Sequence, residues 1–228
     1  MKAMIFAAGR GERMRPLTDT TPKPLLKVQG KPLIEWHILN LARAGFKQIV
    51  INHAWLGEQI EAALGDGARW GVHILWSREP GALETAGGIA YALPLLGEAP
   101  FLAVSADIFS DYDYCQLVPK LRAMATGGAE QAAHLVMVPN PDFHPKGDFG
   151  LNAEGRLVLE GGERLTYGNI CLLRPESFAQ ISPGTKLALR PIWEVQIQAG
   201  QVYGECFTGA WHNVGTPAQL AALQGSSA

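Results

Sequence analysis

The chain has 228 residues, 47% of them hydrophobic and 18% charged, and its 19 Lys+Arg against 21 Asp+Glu give a formal net charge of −2. That composition excludes a disordered chain, and the near balance of charge argues against a nucleic-acid binder that relies on a broad basic surface. No apolar run approaches the roughly 18 residues that a membrane span needs, so neither nucleic acid nor membrane is an expected partner.

The apolar opening, residues 3–8, is shorter than the apolar segment of about 7–15 residues in a secretory leader. Three scattered cysteines, Cys115, Cys171 and Cys206, show no CxxC spacing. They point away from a disulfide framework or a zinc site and toward a reducing cytoplasm.

In chain order, residues 4–8 read as a buried strand, 33–44 as a helix, 48–52 as a strand, 56–64 as a helix, 72–76 as a strand, 85–96 as a helix and 101–105 as a strand. Leu33, Ile34, Ile38 and Leu41 share one face of the first helix, and Leu56, Ile60, Ala63 and Leu64 one face of the second. Pro32 suits the first turn and Gly45 a C-cap. Alternation of this kind implies parallel strands joined by crossover helices, hence an α/β protein with a three-layer α/β/α, Rossmann-like, mostly parallel sheet.

Beyond residue 105 the pattern is less regular. Asp111 and Asp113 are expected to cap a following helix, and residues 125–130 to form a loop. Residues 149–152 and 156–160 flank Ala153-Glu154-Gly155 as a hairpin. Residues 165–173 and 202–207 read as strands, 187–198 and 216–223 as helices, and 225–228 as a fraying tail. No repeat, linker or composition break interrupts the chain, so one domain over 1–228 is expected.

The informative segment is residues 7–24, A-A-G-R-G-E-R-M-R-P-L-T-D-T-T-P-K-P. Gly9 and Gly11 follow a strand, where backbone N–H groups can approach an anion closely. Arg10, Arg13, Arg15 and Lys23 supply cations for a polyphosphate. Two common nucleotide motifs fail: Met14 stands at the third glycine of G-x-G-x-x-G, no acidic residue follows the second strand at Asn52-His53, and no G-K-[ST] occurs. Asp107, at the carboxyl end of the strand 101–105, stands where an α/β sheet places ligands.

These residues carry a resemblance. The segment 7–24 resembles the signature of the sugar-1-phosphate nucleotidyltransferases, and later blocks follow in order: Glu79-Pro80-Gly81-Ala82-Leu83-Glu84-Thr85-Ala86-Gly87, Ser105-Ala106-Asp107, Gly168-Asn169-Ile170 and Trp211-His212-Asn213-Val214-Gly215-Thr216-Pro217. The resemblance implies a GT-A-like fold with a nucleotide part at about 1–110 and a sugar part at about 111–228. It implies that Ala7, Ala8, Gly9, Gly11, Glu12, Arg13, Lys23, Thr85, Gly88 and Ser105 hold the nucleotide. Asp148, Gly150, Glu160 and Asn169 would hold the sugar. Arg13, Lys23 and Asp107 match the catalytic residues, and Asp107 with Asn213 would bind magnesium (Mg2+).

Four departures from the family pattern stand out. Glu12 replaces a threonine, Glu84 a glycine and Asn213 a metal-binding aspartate, while Glu160-Gly161-Gly162 stands where an E-K-P block belongs. The lysine that would meet the sugar phosphate is absent. Together the departures resemble a short subgroup acting in cell-wall recycling, which implies UTP and N-acetylmuramate 1-phosphate as substrates. No room for a β-helix acyltransferase domain is expected. Lys146, Arg174 and Arg190 are candidates for the lactyl carboxylate of such a sugar.

Trp36, Trp55 and Trp193 read as core residues, and His37 and His73 as structural or exposed. His144 and His212 could border the sugar. No serine or cysteine sits in a nucleophile motif, so direct in-line transfer is expected. Two alternatives stay open: a guanylyltransferase for mannose 1-phosphate, and a non-catalytic subunit that binds nucleotide-sugars. Oligomeric state is not legible.

Overall fold

In the computed structural model, which describes residues 1–128 and 130–225, the chain opens with β1 (Lys2–Phe6). A two-residue pairing of β2 (Lys27–Val28) with β3 (Lys31–Pro32) follows. The predicted alternation then runs through α1 (Leu33–Arg43), β4 (Gln48–His53), α2 (Gly57–Leu64), β5 (His73–Arg78), α3 (Glu84–Leu96) and β6 (Phe101–Ser105). Next come β7 (Ile108–Ser110), α4 (Leu117–Thr126), β8 (Ala133–Val138), β9 (Phe149–Leu151), β10 (Leu157–Val158) and β11 (Glu163–Leu173). The last elements are α5 (Arg190–Gln198), β12 (Val202–Cys206), β13 (Trp211–Asn213) and α6 (Pro217–Gly225).

The main sheet runs β12-β8-β11-β6-β1-β4-β5, and β9 with β10 extends it alongside the first residues of β11. β11 is antiparallel to both β6 and β8, and the other pairings of that series are parallel. After β1 the chain lays β4 and β5 outward on one side, then crosses back to set β6 on the other. That reversal opens a crevice at the carboxyl ends of β1 and β6, the place where an open α/β sheet receives ligands.

Alternation along β1 feeds two cores. Ala3 and Ile5 pack with Ile34, Ile38 and Leu41 of α1 and Ile60 and Leu64 of α2, while Met4 packs with Ile89 of α3 and Trp193 of α5. Helices therefore cover both faces, giving the expected three layers. A third cluster joins Met14 and Leu33 to Val214 and Leu220, which anchors the segment after β1 to the end of the chain.

Several boundaries shift for identifiable reasons. Residues 7–8 leave the first strand because the Ala7 N–H donates to the Asn52 side chain (2.9 Å) and not to a ladder. Leu56 has a left-handed φ of 52°, so α2 starts one residue later. Gly45, with φ 86°, closes α1 as predicted, and the Phe46 N–H donates to the Leu41 carbonyl. Of the predicted helix 187–198 only Arg190 onward is helical, because Leu187 hydrogen-bonds α3 through its carbonyl and Leu83 through its N–H.

α4 and β8 had no predicted range. All six residues of β8 are buried, so the strand lacks the alternation that marks one. Asp113 caps the short turn before α4 by accepting from the Cys115 N–H, whereas Asp111 uses its backbone N–H on the Ala210 carbonyl. Ala125 and Thr126 of the expected loop belong to α4, and Ala129 lies outside the described residues. Gly225 of the expected fraying tail closes α6, and residues 226–228 lie outside the described residues.

β12 carries a partly buried charge network. Glu205 accepts from Lys120 Nζ (2.8 Å) and from Tyr112 Oη, and pairs with His134 Nε2 (3.0 Å). Burial alone would raise its carboxyl; His134, Lys120 and Tyr112 outweigh that and hold it at about 2, below the ordinary 4.5. The folded state therefore binds the proton more weakly than the unfolded one. Stability of about 2–3 kcal/mol is present above pH 4.5 and is lost as pH falls toward 2. Denaturant melts of the parent and Glu205→Gln should differ at pH 6 and converge near pH 2; a gap independent of pH would contradict the assignment.

Candidate active site

The crevice at the sheet's carboxyl edge holds a cavity of about 440 Å³. Its first wall is the loop after β1. Gly11 holds φ 71°, and a Cβ there would press on the Thr18 methyl at 3.0 Å. Its carbonyl accepts from Thr18 Oγ1 (2.8 Å) and from the Met14 N–H (2.9 Å), and Met14 is fully buried below. A short 3-10 turn at Glu12–Met14 brings Arg13 to the cavity. Gly215 leaves room for it, since a Cβ there would come within 3.2 Å of the guanidinium.

The cations of this loop divide. Arg13 and Lys23 line the cavity, whereas Arg10 stacks on the Trp55 ring at 4.2 Å and pairs with Glu12 at 3.0 Å. Arg15 pairs with Asp19 at 2.8 Å. Glu12 lines the cavity but turns its carboxylate to Arg10 and Arg15. Trp55, half-buried, braces the loop by donating Nε1–H to the Thr18 carbonyl (3.0 Å). It is thus a brace for the loop and not the core residue expected.

The second wall ends β6. Ser105, Ala106 and Asp107 line the cavity, and the Ala106 N–H donates to the Phe6 carbonyl (3.0 Å), tying the two strand ends together. Lys23 Nζ donates to Asp107 Oδ2 at 2.6 Å, joining the first wall to the second. β13 pairs with β7 so that Asn213 stands opposite Ile108, and the Val214 N–H donates to the Asp107 carbonyl (2.9 Å). Asn213 Oδ1 is buried and has no hydrogen-bond partner among the described residues. Asn213 is not one of the lining residues itself.

The third wall comes from β4, α3 and a strap before α5. Asn52 accepts from the Ala7 N–H through Oδ1 and donates Nδ2–H to Glu79 Oε1 at 2.6 Å. Glu79 Oε2 accepts from the Leu83 N–H at 3.0 Å. Glu79 is buried, and burial pushes its carboxyl up against the pull of these two donors. This relay fixes the loop after β5 against the loop after β1. Gly88 packs behind it, where a Cβ would crowd Glu79 and Asn52.

Residues 182–189 strap the start of α3. The Leu187 carbonyl accepts from the N–H groups of Ala86 (2.8 Å) and Gly87 (3.0 Å), and Thr85 Oγ1 accepts from the Leu189 N–H (3.0 Å). Gly87 permits this approach, because a Cβ there would overlap the Thr185 carbonyl oxygen. The strap brings Lys186 to the cavity beside Glu84 and Thr85.

A family model described as nucleotidyl transferase matches residues 2–151. The chain belongs to the nucleotidyl transferase family. An N-acetylmuramate alpha-1-phosphate uridylyltransferase of Neisseria meningitidis serogroup B is 51% identical over 227 residues, covering 98% of this chain and 97% of that one. A second, of Caulobacter vibrioides, is 33% identical and covers 96% and 94%. The crystal structure of HddC from Yersinia pseudotuberculosis complexed with GMP-PN superposes with a TM-score of 0.78 at 16% identity, covering 98% and 97%, and shares the fold.

Against the expectations drawn from the nucleotidyl transferase resemblance, the cavity gathers Ala7, Ala8, Gly9, Gly11, Glu12, Arg13, Lys23, Thr85, Ser105 and Asp107. Asn169 joins them at one remove: the bulge in β11 between Tyr167 and Ile170 turns it at φ 58°, with its Oδ1 3.4 Å from Ser105 Oγ. Trp211 fixes that bulge by donating Nε1–H to the Gly168 carbonyl (2.9 Å).

Like Asn169, which meets the lining only through Ser105, the other three expected sugar ligands are not among the lining residues. Asp148 gives Oδ1 to His144 (3.2 Å) and Arg190 (3.1 Å) and Oδ2 to the Tyr167 N–H (2.9 Å). Gly150 supports the hairpin, since a Cβ would overlap the Gly161 carbonyl oxygen, and Glu160 is exposed at the hairpin. Arg174 is likewise spent, donating to the Gln131, Met124, Gly127 and Gly128 carbonyls. Sequence reasoning missed Asn52 and Lys186 as site residues, and it placed Glu79 at the head of the block 79–87 without assigning it a role. Asn52 carried a signal, because it lies near the carboxyl end of a parallel strand.

Proposed function

We propose that the chain transfers UMP from UTP to a sugar 1-phosphate, with N-acetylmuramate α-1-phosphate as its acceptor, releasing pyrophosphate, and that it serves peptidoglycan recycling in the cytoplasm. The observation that carries the chemistry is the Lys23–Asp107 pair at 2.6 Å, set in a cavity that Arg13 also lines. The choice of acceptor is supported by the Neisseria relative, matched over nearly the whole of both chains.

An oxygen of the acceptor's phosphate forms a bond to the α-phosphorus of UTP. The bond from that phosphorus to the β-phosphate oxygen breaks, and pyrophosphate leaves with the electron pair. Such a displacement needs two anions held in line and charge stabilised on the non-bridging oxygens. Arg13 holds the departing pyrophosphate, Lys23 meets the charge of the transition state, and the glycine loop leaves backbone N–H groups for the phosphates. The Asn52–Glu79 relay keeps the loops after β1 and β5 in register around the nucleotide.

Magnesium fits the residues present. Asp107 and the unpartnered Oδ1 of Asn213 are hard oxygen donors, and this cation takes one or two protein ligands together with substrate phosphates. When bound, it neutralises charge on phosphate oxygens. Asp107 and Asn213 would hold it. Chelation should abolish pyrophosphate release and added magnesium restore it; release unaffected by chelator would remove the metal from this reading.

The acceptor and nucleotide are tested by crossing UTP, GTP and dTTP against the 1-phosphates of N-acetylmuramate, N-acetylglucosamine, glucose and mannose. Release should be largest by far with UTP and N-acetylmuramate 1-phosphate. Preference for another pair would overturn the substrate assignment.

A further inference from the structure

Two polyanions must share this cavity if the proposed function holds, and its lining offers three cations: Arg13, Lys23 and Lys186. Lys23 is engaged with Asp107 at 2.6 Å. Of the basic side chains of the sugar-binding half, Lys146 is exposed and stands outside the cavity lining, and three arginines are committed elsewhere. Arg174 and Arg164 donate to backbone carbonyls, and Arg190 holds Asp148 and Glu194. Lys186 is different. Its side chain is 67% exposed, and its ion pair with Glu84 is loose, at 3.8 Å.

We infer that Lys186 is the residue that binds an anionic group of the acceptor sugar, with Glu84 as the counter-charge it leaves on binding. The local backbone is built to present this pair. The strap is held by the Leu187 and Thr85 hydrogen bonds and by the missing Cβ of Gly87. Glu84 occupies a left-handed φ of 60°, a conformation costly for a residue with a side chain. Held at the first residue of α3, its carboxylate keeps the ammonium at the cavity mouth while the acceptor is absent. The loop after β1 and Lys23 already face the triphosphate, so the charge arriving from the strap falls to the other substrate.

The anionic group is either the 1-phosphate, common to all acceptors, or the lactyl carboxylate, which N-acetylmuramate carries and N-acetylglucosamine lacks. The inference rests on the proposed function, and its test separates the two. Lys186→Ala is compared with the parent at saturating UTP, and calorimetry measures binding of both sugar phosphates. KM and Kd for the acceptor should rise on the order of tenfold, the size of one charge-assisted hydrogen bond, with kcat little changed. KM for UTP should stay put. Lys186→Arg should recover most of the loss, and Glu84→Gln, which frees the ammonium, should lower the acceptor KM.

A rise with both sugars assigns Lys186 to the phosphate, and a rise confined to the muramate sugar assigns it to the carboxylate. Unchanged acceptor binding, or a rise confined to UTP, would overturn the inference. A parent that turns over neither acceptor would overturn the proposed function instead, and calorimetry would still decide the role of Lys186. The side chain is exposed, so melting temperatures should match and a folding defect should not obscure the result.

Discussion

Lys23→Ala should lower kcat by about 10²–10³, the loss typical of removing one preorganised electrostatic donor. Lys23 is 12% exposed and its ammonium lies 2.6 Å from Asp107, so its charge acts in a cavity that only partly admits water. Coulombic stabilisation grows as the surrounding dielectric falls. A charge that matters to the transition state more than to the bound substrates changes kcat more than KM. Steady-state kinetics with UTP and N-acetylmuramate 1-phosphate provide the check. Turnover within about threefold of the parent, negligible beside the loss expected for such a donor, would place the stabilising charge elsewhere, with Arg13 next to be tested.

Asn52→Leu should be the most damaging change away from the reacting atoms. Asn52 is buried, and its amide serves the Ala7 N–H and Glu79 together. Leucine would strand both partners, at about 1–3 kcal/mol for each buried group left unsatisfied. Chemical denaturation should show a loss of roughly 2–6 kcal/mol from these two groups, accompanied by a higher KM for UTP as the loops after β1 and β5 lose register. Asn52→Asp separates the causes. It keeps an acceptor for Ala7 but sets a carboxylate against Glu79, a pair that favours sharing one proton. The folded state of that variant then binds the proton more tightly than the unfolded chain. Its stability should fall as pH rises from about 5 to 8, more steeply than that of Asn52→Leu, in which the Glu79 carboxyl, already raised by burial, only loses the donor that pulled it down. Equal, flat profiles for both would mean that the relay does not hold the loops.

How much of this was legible in the sequence follows from what each feature depends on. β1, α1 and β4 carry their own periodicity, and the loop after β1 carries glycines and four cations, of which Arg13 and Lys23 reach the cavity while Arg10 and Arg15 pair with Glu12 and Asp19. Asp107 was legible because strand ends are where this sheet class binds ligands. β8 was not, since a strand buried on both faces has no alternation to detect. The strap at 182–189 was read in part as helix because its conformation is fixed by Leu83, Thr85 and Gly87, about a hundred residues earlier in the chain.

The sugar half shows a different limit. Motif order located Asp148, Gly150 and Glu160 along the chain but said nothing of which way each would face. Asp148 is consumed by His144, Arg190 and Tyr167, and Gly150 by the tight packing of the hairpin. Lys186 escaped notice for the complementary reason: it sits in no motif, and only the fold brings it to the cavity. Spacing in a sequence predicts local geometry well, and convergence of distant side chains poorly.

The central claim is that the cavity transfers a uridylyl group and does not merely bind or hydrolyse the nucleotide. Its most direct test is a labelling experiment with the parent protein, magnesium and N-acetylmuramate 1-phosphate. With UTP labelled at the α-phosphorus, the label should appear in the nucleotide-sugar, and label from the γ-phosphorus should appear in pyrophosphate. Alpha label recovered as UMP, or remaining in UTP while the protein binds it, would contradict the claim.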